Sequence, residues 1–282
     1  MHKVSDDWRS DDLEIDLFLE GIYRKYGYDF RQYSRASLRR RIFGQVDRFG
    51  LDSVCSLLHK VLYDQQAFVT VLEYMTVNVT EMFRDPLFYK TFREKVVPIL
   101  KSYPSIKIWH AGCSTGQEVY SMCVLLKEEG LYERCQIYAT DIDKNVLDIA
   151  KKGIFPIEAV KHYSDNYTKA GGHYTLSKYY TARYDGIIMD SSLKKNVVFA
   201  DHDLATDQVF GEMQVILCRN VLIYFNRGLQ NRVFNLFTDS LDHHGFLCLG
   251  SKESLRYSEC SGSYEEFDYN QKIYHKLARQ LF

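Results

Sequence analysis

Apolar residues recur at helical spacing in the first quarter of the chain. Leu13, Leu17 and Ile22 fall on one face of a predicted first helix. A second helix is predicted to begin at Ser34, because serine is favoured at helix N-caps. The pattern predicts two more helices, over residues 53–62 and 65–74. Residues 1–75 are therefore expected to form an all-α domain.

From about residue 106 the pattern changes to apolar strands that alternate with helices. Strands are predicted over residues 107–110, 136–140, 196–200, 213–217 and 246–250. Helices are predicted over residues 120–129, 146–152 and 229–241, and a closing hairpin over residues 264–269 and 272–277. This alternation predicts an α/β domain with a doubly wound parallel sheet, to which the terminal hairpin adds an antiparallel edge.

Residues 163–195 interrupt the alternation. This segment contains six tyrosines and is too long for an ordinary connection between two elements. It is predicted to be a small inserted lobe rich in strands, lying over or beside a ligand site. Residues 76–105, between the two regular regions, are predicted to be a linker that also lines that site.

The loop after the first predicted strand contains Gly112 and Gly116 and leads into a helix that starts near Gln117. Glycine lets the backbone approach a ligand closely, and a helix N-terminus presents free N–H groups. The second predicted strand ends at Asp141, a position from which an acid accepts hydrogen bonds from ribose hydroxyls. Together these features predict a nucleoside-containing cofactor. The loop alone is equally explained by a turn with close helix–strand packing.

The same loop narrows the choice of cofactor. It lacks the third glycine of the dinucleotide pattern and the Gly-Lys-Ser/Thr of a phosphate loop. S-adenosylmethionine (SAM), which has no phosphates, fits better. Glu118 lies just inside the helix, where the helix dipole favours a carboxylate, and it can accept a hydrogen bond from a ligand ammonium.

Two further segments carry candidate chemistry. Asn78, Thr80 and Arg84 lie where the helical and α/β regions join, and such junctions often line a cleft. The alternative is a helix N-cap followed by a surface arginine. Asn220 and Tyr224 follow the fourth predicted strand, where ligands bind in such sheets. Tyr224 either projects its hydroxyl into the site or is a core aromatic.

Residues 21–48 are strongly basic, with eight Lys or Arg against two Asp, in a chain whose net charge is −1. Arg35 and Arg39 are four residues apart and share one helical face. This surface is suited to docking an acidic protein surface or a polyanion. A solvated helix face is the alternative. Nucleic acid is a further alternative, but no recognition motif supports it.

Composition sets the remaining bounds. At 282 residues, 46% of them hydrophobic, the chain is long enough for two domains with real cores. The near-neutral charge gives no global attraction to nucleic acid or membranes. The seven cysteines are scattered and predict reduced thiols in a cytoplasmic protein. The polar start is not a signal peptide, and no apolar run is long enough to span a membrane. No metal-site spacing and no nucleophile–base pair is evident.

Four motifs occur in order along the chain and together resemble the chemoreceptor glutamate methyltransferases of the CheR type. They are Asn78-x-Thr80 with Phe83-Arg84, Gly112-x-Ser114-Thr115-Gly116-x-Glu118, Ala139-Thr140-Asp141, and Cys218-Arg219-Asn220-Val221-Leu222-Ile223-Tyr224-Phe225. The helical start, with Tyr33-Ser34 and Leu38-Arg39-Arg40-Arg41-Ile42, is similar to that family's N-terminal domain. The resemblance covers nearly the whole chain.

The resemblance implies a class I SAM-dependent methyltransferase domain over residues 106–282, with an inserted β-subdomain, and an N-terminal all-α domain. It implies SAM as cofactor, S-adenosylhomocysteine (SAH) as product, a cytoplasmic receptor domain as partner, and a monomer. In some members the β-subdomain grips a peptide tethered at the receptor's end. Metal, nucleic acid and membrane insertion are not expected.

Carried over by position, the resemblance gives each candidate residue a role. The expected cofactor-binding residues are Asn78, Thr80, Arg84, Gly112, Glu118, Asp141, Asp203, Leu204, Arg219 and Asn220. Glu118 would meet the methionyl ammonium and Asp141 the ribose. Asp203 stands where the family often has Asn, so the adenine-side contact departs from the pattern. The expected partner-docking residues are Arg35, Arg39, Arg40 and Arg41.

The implied reaction esterifies a receptor glutamate, with Arg84 orienting the acceptor carboxylate and Tyr224 positioning the acceptor or the methyl group. A carboxylate is already ionised at pH 7 and needs no general base, which agrees with the missing nucleophile–base pair. Two other functions stay open at this point. One is methylation of a different protein carboxylate, and the other is a module that binds SAM without transferring its methyl group.

Overall fold

The computed structural model describes residues 10–76 and 78–278, which form two compact units. The first unit comprises the described residues up to Thr76 together with Ile223–Gln230. The second comprises Asn78–Leu222 and the described residues from Asn231 onwards. Within these described ranges, no helix is both long enough and apolar enough to cross a membrane.

Residues 10–76 of the first unit are helical, as predicted. The helices are α1 (Ser10–Tyr26), α2 (Arg35–Arg48), α3 (Val54–Tyr63) and α4 (Gln65–Met75). Ser34 takes the N-cap position of α2, although its side chain makes no capping hydrogen bond. Ser53 caps α3 by accepting the N–H of Ser56, and Asp64 caps α4 by accepting two backbone N–H groups. The buried apolar residues of the four helices meet in one core.

The strands of the second unit form two sheets. They are β1 (Ile106–Ala111), β2 (Cys135–Asp141), β3 (Ile154–Pro156), β4 (Tyr180–Arg183), β5 (Gly186–Met189), β6 (Val197–Asp201), β7 (Met213–Cys218), β8 (Leu241–Leu249), β9 (Tyr264–Asp268) and β10 (Ile273–Lys276). The larger sheet has the order β6-β2-β1-β7-β8-β10-β9. Its neighbours from β6 to β8 are parallel, whereas β10 is antiparallel to both β8 and β9. The predicted doubly wound sheet with an antiparallel terminal hairpin is confirmed.

Within the described residues, six helices accompany this sheet; all but the last contribute residues to one apolar core, and the last contacts β1 through the rings of Phe237 and Trp109. The helices are α5 (Pro86–Thr91), α6 (Val97–Leu100), α7 (Gln117–Glu128), α8 (Lys144–Lys152), α9 (Val160–Lys169) and α10 (Arg227–Ser240). The central strands are buried along most of their length, because both faces of a doubly wound sheet are covered. That burial explains their nearly continuous apolar sequence.

The segment expected to be a linker, residues 76–105, is helical over residues 86–100. After α5 the chain makes one π-helical turn, Phe92–Val96, and continues into α6. Phe88, Tyr89 and Phe92 are fully buried in the core of the second unit. The segment is therefore ordered by the apolar surface that it buries, since a solvated linker would not carry three such aromatics.

The inserted lobe also differs from its prediction. It contains a three-stranded antiparallel sheet of order β3-β5-β4, which begins before residue 163, and residues 163–169 belong to helix α9 rather than to strands. Tyr163 and Tyr167 are four residues apart and both are buried, so a helix places them on one apolar face. The strong tyrosine content was compatible with a strand but did not require one.

Candidate functional site

Three loops meet at one edge of the larger sheet. They follow the carboxyl ends of β2, β1 and β7, which are adjacent and parallel, and carry the motifs around Asp141, Gly112 and Arg219. Ligands bind at this edge of doubly wound sheets because the loops after parallel strands converge there. Most of the candidate residues predicted in the second unit therefore lie on neighbouring loops.

The glycines of the first loop are required by the backbone and by packing. Gly112 has φ +79°, and a Cβ built on it would lie 2.5 Å from a methyl group of Val221. Gly116 has φ +93°, and its Cβ would lie 2.9 Å from the Cβ of Ala150 in α8. Close packing thus explains both glycines. This agrees with the alternative that the loop is a turn with close helix–strand packing. The packing also brings the start of α7 close to the loops that hold the acids.

Asp141, at the end of β2, fixes the loop after β1. Its Oδ2 accepts the backbone N–H of Ser114 at 2.8 Å, and its Oδ1 accepts that of Asp143 at 3.1 Å. The side chain is nearly buried, and burial raises the pKa of Asp141 to about 6 although these two hydrogen bonds lower it. Each carboxylate oxygen keeps further acceptor capacity, which suits a pair of ribose hydroxyls.

Glu118, in the first turn of α7, is held by two side chains. Its Oε1 lies 2.9 Å from Nδ1 of His110, and its Oε2 accepts a hydrogen bond from Arg219 at 3.1 Å. Burial raises the pKa of Glu118, but the hydrogen bond with His110 and the charge of Arg219 outweigh burial and hold this pKa below its ordinary value. Glu118 is therefore ionised at neutral pH and fixed in orientation.

Arg219 joins the loop after β7 to two other segments. Besides Glu118 it donates to Oδ2 of Asp85 at 2.8 Å and to the carbonyl oxygen of Arg84 at 3.2 Å. Its guanidinium lies 4.2 Å from the ring centre of Phe88, and its side chain is buried. Two carboxylates thus face one guanidinium, so this part of the site carries a net negative charge that favours a cationic ligand.

Residues 78–85 contact Asp143 at one end, through Asn78, and Arg219 at the other, through Arg84 and Asp85. The side-chain amide of Asn78 lies 3.5 Å from Asp143, and Thr80 is half-buried nearby in sequence. Arg84 is partly exposed, and the hydrogen bond recorded for its guanidinium goes to the carbonyl oxygen of Val79 at 3.1 Å. Among the described residues, no ion pair with a carboxylate is recorded for Arg84, in contrast to Arg219.

Backbone strain is concentrated in these loops. Seven non-glycine residues of the described ranges have positive φ, and four of them lie here: Phe83, Asp85, Ser114 and Asn220. Such conformations cost about 1–3 kcal/mol each and persist where surrounding contacts hold them. The strain marks the loops as segments whose shape is fixed for a purpose other than stability.

The remaining predicted residues contact their own turn or their own unit. Asp203 uses its carboxylate to cap its own turn by accepting the N–H of Ala205 at 2.8 Å, and Leu204 is buried beside it. In the first unit, Tyr224 lies with its ring centre 4.6 Å from the guanidinium carbon of Arg41. Its backbone oxygen accepts the N–H of Ser34 at 2.7 Å. Tyr224 is therefore held by its own unit.

The four arginines expected to dock a partner are not equivalent. Arg41 is buried and donates to the carbonyl oxygen of Met75. Arg40 is exposed. Arg35 and Arg39 are half-buried and pair with acids of α1: Asp12 and Asp16 contact Arg35, and Asp11 and Asp12 contact Arg39. The charge that α2 presents to a partner is therefore smaller than the sequence suggests.

The residues present fit SAM as the expected cofactor. Ser114 Oγ is buried in the loop after β1 and has no hydrogen-bond partner in the structure. An orphaned hydroxyl of this kind indicates a missing polar group. The donor set also matches: a carboxylate at Asp141 for ribose hydroxyls, and a net negative cluster around Glu118 for the ammonium and sulfonium charges. In the described part of the chain, no group of three or more potential metal ligands occurs.

Two contributors were missed by sequence reasoning. Asp85 directly follows the motif Phe83-Arg84, and Glu253 lies outside all four motifs. The carboxylate of Glu253 accepts four backbone N–H groups, among them those of Asn220, Val221 and Leu222 at 2.7–2.9 Å. Three of its four partners are backbone groups about thirty residues away, so no side-chain motif could have revealed it.

Comparison with known proteins gives family matches over most of both units. The family described as "CheR methyltransferase, SAM binding domain" matches residues 78–269, and "CheR methyltransferase, all-alpha domain" matches residues 13–76. The chain is 53% identical over 268 residues to the "Putative methyltransferase Cher3" of Pseudomonas putida, covering 95% of this chain and 98% of that protein. It is 32% identical over 239 residues to the "Chemotaxis protein methyltransferase 1" of Vibrio cholerae, covering 80% and 82%. The chain belongs to the CheR methyltransferase family and has that family's all-α and SAM-binding domains.

Proposed function

We propose that this protein is a SAM-dependent O-methyltransferase that forms methyl esters on glutamate side chains of chemoreceptors, as part of adaptation in chemotaxis. Relatives named as chemotaxis protein methyltransferases support the pathway. The observation that carries the choice of acceptor is Arg84, a partly exposed guanidinium next to the cofactor loops with no recorded carboxylate partner among the described residues. The carboxylate of a substrate glutamate would pair with this guanidinium.

The protein's own groups would hold the cofactor through the three loops. Asp141 would accept from the ribose, Glu118 from the methionyl ammonium, and Asn78 and Thr80 would line the pocket. Gly112 would give the backbone close access. Further contacts in this proposal come from Arg84, Asp203, Leu204, Arg219 and Asn220. When bound, SAM supplies an electrophilic methyl group on its sulfonium.

For this reaction the protein would only have to place the acceptor carboxylate next to the methyl group. A glutamate side chain is ionised at neutral pH, so no side chain has to remove a proton. Glu118 cannot serve as a base, because its carboxylate is ionised and already bound by His110 and Arg219. Catalysis would come from alignment and from exclusion of water. Arg84 would orient the acceptor carboxylate through paired N–H groups, and Tyr224 would position the acceptor or the methyl group.

The partner would be the cytoplasmic, acidic, helical methylation region of a receptor. Arg35, Arg39 and Arg40 of α2 form the proposed docking surface, with Arg40 the most accessible of the three, whereas the buried Arg41 is not part of it. The inserted lobe would be the β-subdomain, and the working form would be a monomer. Neither nucleic acid nor membrane insertion is part of this proposal.

The proposal is tested with methyl-labelled SAM and a purified receptor cytoplasmic fragment. We expect label on glutamate, identified by mass spectrometry, and its release as methanol in base. Arg84→Ala should lower kcat/KM for the receptor on the order of 10²-fold, because a misplaced acceptor loses alignment. Arg134→Ala is a matched control, since Arg134 also bonds backbone carbonyls but precedes the amino end of β2.

Three results would count against the proposal. Base-stable label would exclude a carboxyl ester. Label only on a different protein would replace the receptor as substrate. An Arg84→Ala protein with unchanged SAM affinity and full turnover would remove Arg84 from its role.

A further inference from the structure

The carboxylate of Glu253 is buried and bound almost entirely by backbone. It is 5% exposed, and its two oxygens accept two N–H groups each. Oε1 accepts from Val221 at 2.9 Å and Leu222 at 2.7 Å. Oε2 accepts from Asn220 at 2.9 Å and Gly250 at 2.6 Å. An anion removed from water is costly unless such charge-assisted bonds replace its hydration, and here four of them do.

This carboxylate stabilises a loop that would not keep its shape unaided. Asn220 has φ +63°, a conformation that L-residues other than glycine rarely adopt. Gly250 packs directly against it: a Cβ there would lie 2.8 Å from the backbone nitrogen of Asn220 and 2.8 Å from Oε2 of Glu253. The cost of the strained residue is offset by hydrogen bonds to three consecutive N–H groups of the same loop.

The loop in turn carries Arg219, which pairs with Glu118 and Asp85 from two other segments. A change in the path of residues 220–222 would move Arg219 and loosen Glu118. Glu253 itself makes no recorded contact with Arg219 or Glu118, so its influence passes through the backbone.

We propose that Glu253 is a positioning residue that sets the conformation of residues 219–222 and thereby determines affinity for SAM and SAH. This inference needs only the SAM-binding site, and it rests on the proposed function solely where receptor turnover is measured. It concerns a backbone-bound carboxylate rather than a residue that contacts cofactor or acceptor.

Glu253→Gln is the informative variant. An amide has one acceptor oxygen, and each oxygen of Glu253 accepts two N–H groups, so the new NH2 group would face two donors in either orientation. Glu128→Gln is the matched control, because Glu128 is also a buried carboxylate but binds Arg93, Tyr167 and Tyr179. Glu253→Asp keeps both acceptor oxygens on a shorter arm.

Two readouts are made on the full chain. Calorimetric titration with SAH should show at least a tenfold weaker Kd for Glu253→Gln, a partial loss for Glu253→Asp, and a change within about twofold for Glu128→Gln. Amide hydrogen exchange without ligand should accelerate at residues 220–222 in Glu253→Gln, to a smaller extent in Glu253→Asp, and not in Glu128→Gln. A folded Glu253→Gln protein with the wild-type Kd, or equal losses in Glu128→Gln, would overturn the inference.

If Glu253→Gln does not fold, Gly250→Ala decides the question. Its added methyl group would push against Asn220 and Glu253 at the same place, so the Kd for SAH should again rise at least tenfold. A folded Gly250→Ala protein with the wild-type Kd would overturn the inference. Intact SAH binding with no receptor methylation would instead count against the proposed function and leave this inference standing.

Discussion

At the scale of single residues, the raised pKa of Asp141 has two opposite consequences. The folded protein holds the proton of this carboxyl more tightly than the unfolded chain does, since burial moves the pKa from 3.8 to about 6. Asp141 therefore contributes less to the free energy of unfolding as the pH rises from about 4 to about 6. Ligand binding should follow the other direction, because in the proposed contact ribose hydroxyls donate best to the ionised carboxylate of Asp141.

We expect the affinity for SAH to fall roughly tenfold between pH 7 and pH 5, where only about a tenth of a group with a pKa near 6 stays ionised. Calorimetric titration across this range measures it. Asp141→Asn, which carries no titratable proton, should bind more weakly at pH 7 and lose most of the pH dependence. A wild-type Kd that is flat from pH 5 to 7 would contradict the proposed contact between the ionised Asp141 and the ribose.

Residues that end a strand or start a helix could be placed from sequence. Asp141 and Glu118 follow clear apolar runs, so their positions at the sheet edge were evident before the structure. Their partners were not. The pairing of Glu118 with His110 and Arg219 depends on the exact spacing of β1, β7 and α7 in three dimensions, which hydrophobic periodicity does not specify.

At the scale of elements, the inserted lobe is joined to α7 by one buried carboxylate. Oε1 of Glu128 accepts from the hydroxyls of Tyr167, in α9, and Tyr179, just before β4. Its Oε2 accepts from Arg93, whose side chain is also buried. Breaking one side of a buried ion pair is costly because the other charge stays behind.

Glu128→Gln should lower the free energy of unfolding by about 3 kcal/mol, measured by urea denaturation. Hydrogen exchange should accelerate in α9, β4 and β5 more than in β1 and β2. Lys101→Gln removes a half-exposed cation from the neighbouring Glu129 and should cost less than about 1 kcal/mol. Equal losses in the two variants would argue that the burial of Glu128 gives it no special importance.

Periodicity predicted long elements better than short ones. The central strands and α2 to α4 were found close to their predicted positions, because each has a continuous apolar run or a marked cap. Helices α5 and α6 were taken for a linker, since each covers less than two turns and neither can show a period. Helix α9 was missed because its tyrosines favour strands as much as helices.

At the scale of the whole molecule, docking to a receptor should depend on how α1 shares its acids with α2. Asp11, Asp12 and Asp16 pair with Arg35 and Arg39, so neutralising these acids would increase the positive charge offered to an acidic partner. Replacing all three by Asn should lower the KM for the receptor several-fold at low salt and steepen its salt dependence. Kinetics at two ionic strengths measure both effects.

Reversing the charge of the α2 arginines should instead weaken binding of the receptor. Arg35, Arg39 and Arg40 replaced together by Glu should raise that KM about tenfold or more while SAH affinity stays the same. For the triple Asn variant of α1, a charge-matched control neutralises three exposed acids of the second unit, Glu133, Asp148 and Asp239, and should leave KM almost unchanged. If receptor methylation does not respond to the arginine reversal, α2 is not the docking surface.

The first unit combines two segments that are far apart in sequence, and this affects its folding during synthesis. Ile223–Gln230 belongs to this unit: the N–H of Ser34 bonds to the carbonyl oxygen of Tyr224, and Tyr33 packs edge-on against Phe225. A ribosome adding about 5–20 residues per second needs on the order of ten seconds to pass from the early helices to this segment. The nascent helices therefore lack their contacts with Ile223–Gln230 until most of the second unit has been synthesised. Chaperone dependence during translation should accordingly be greatest in that interval.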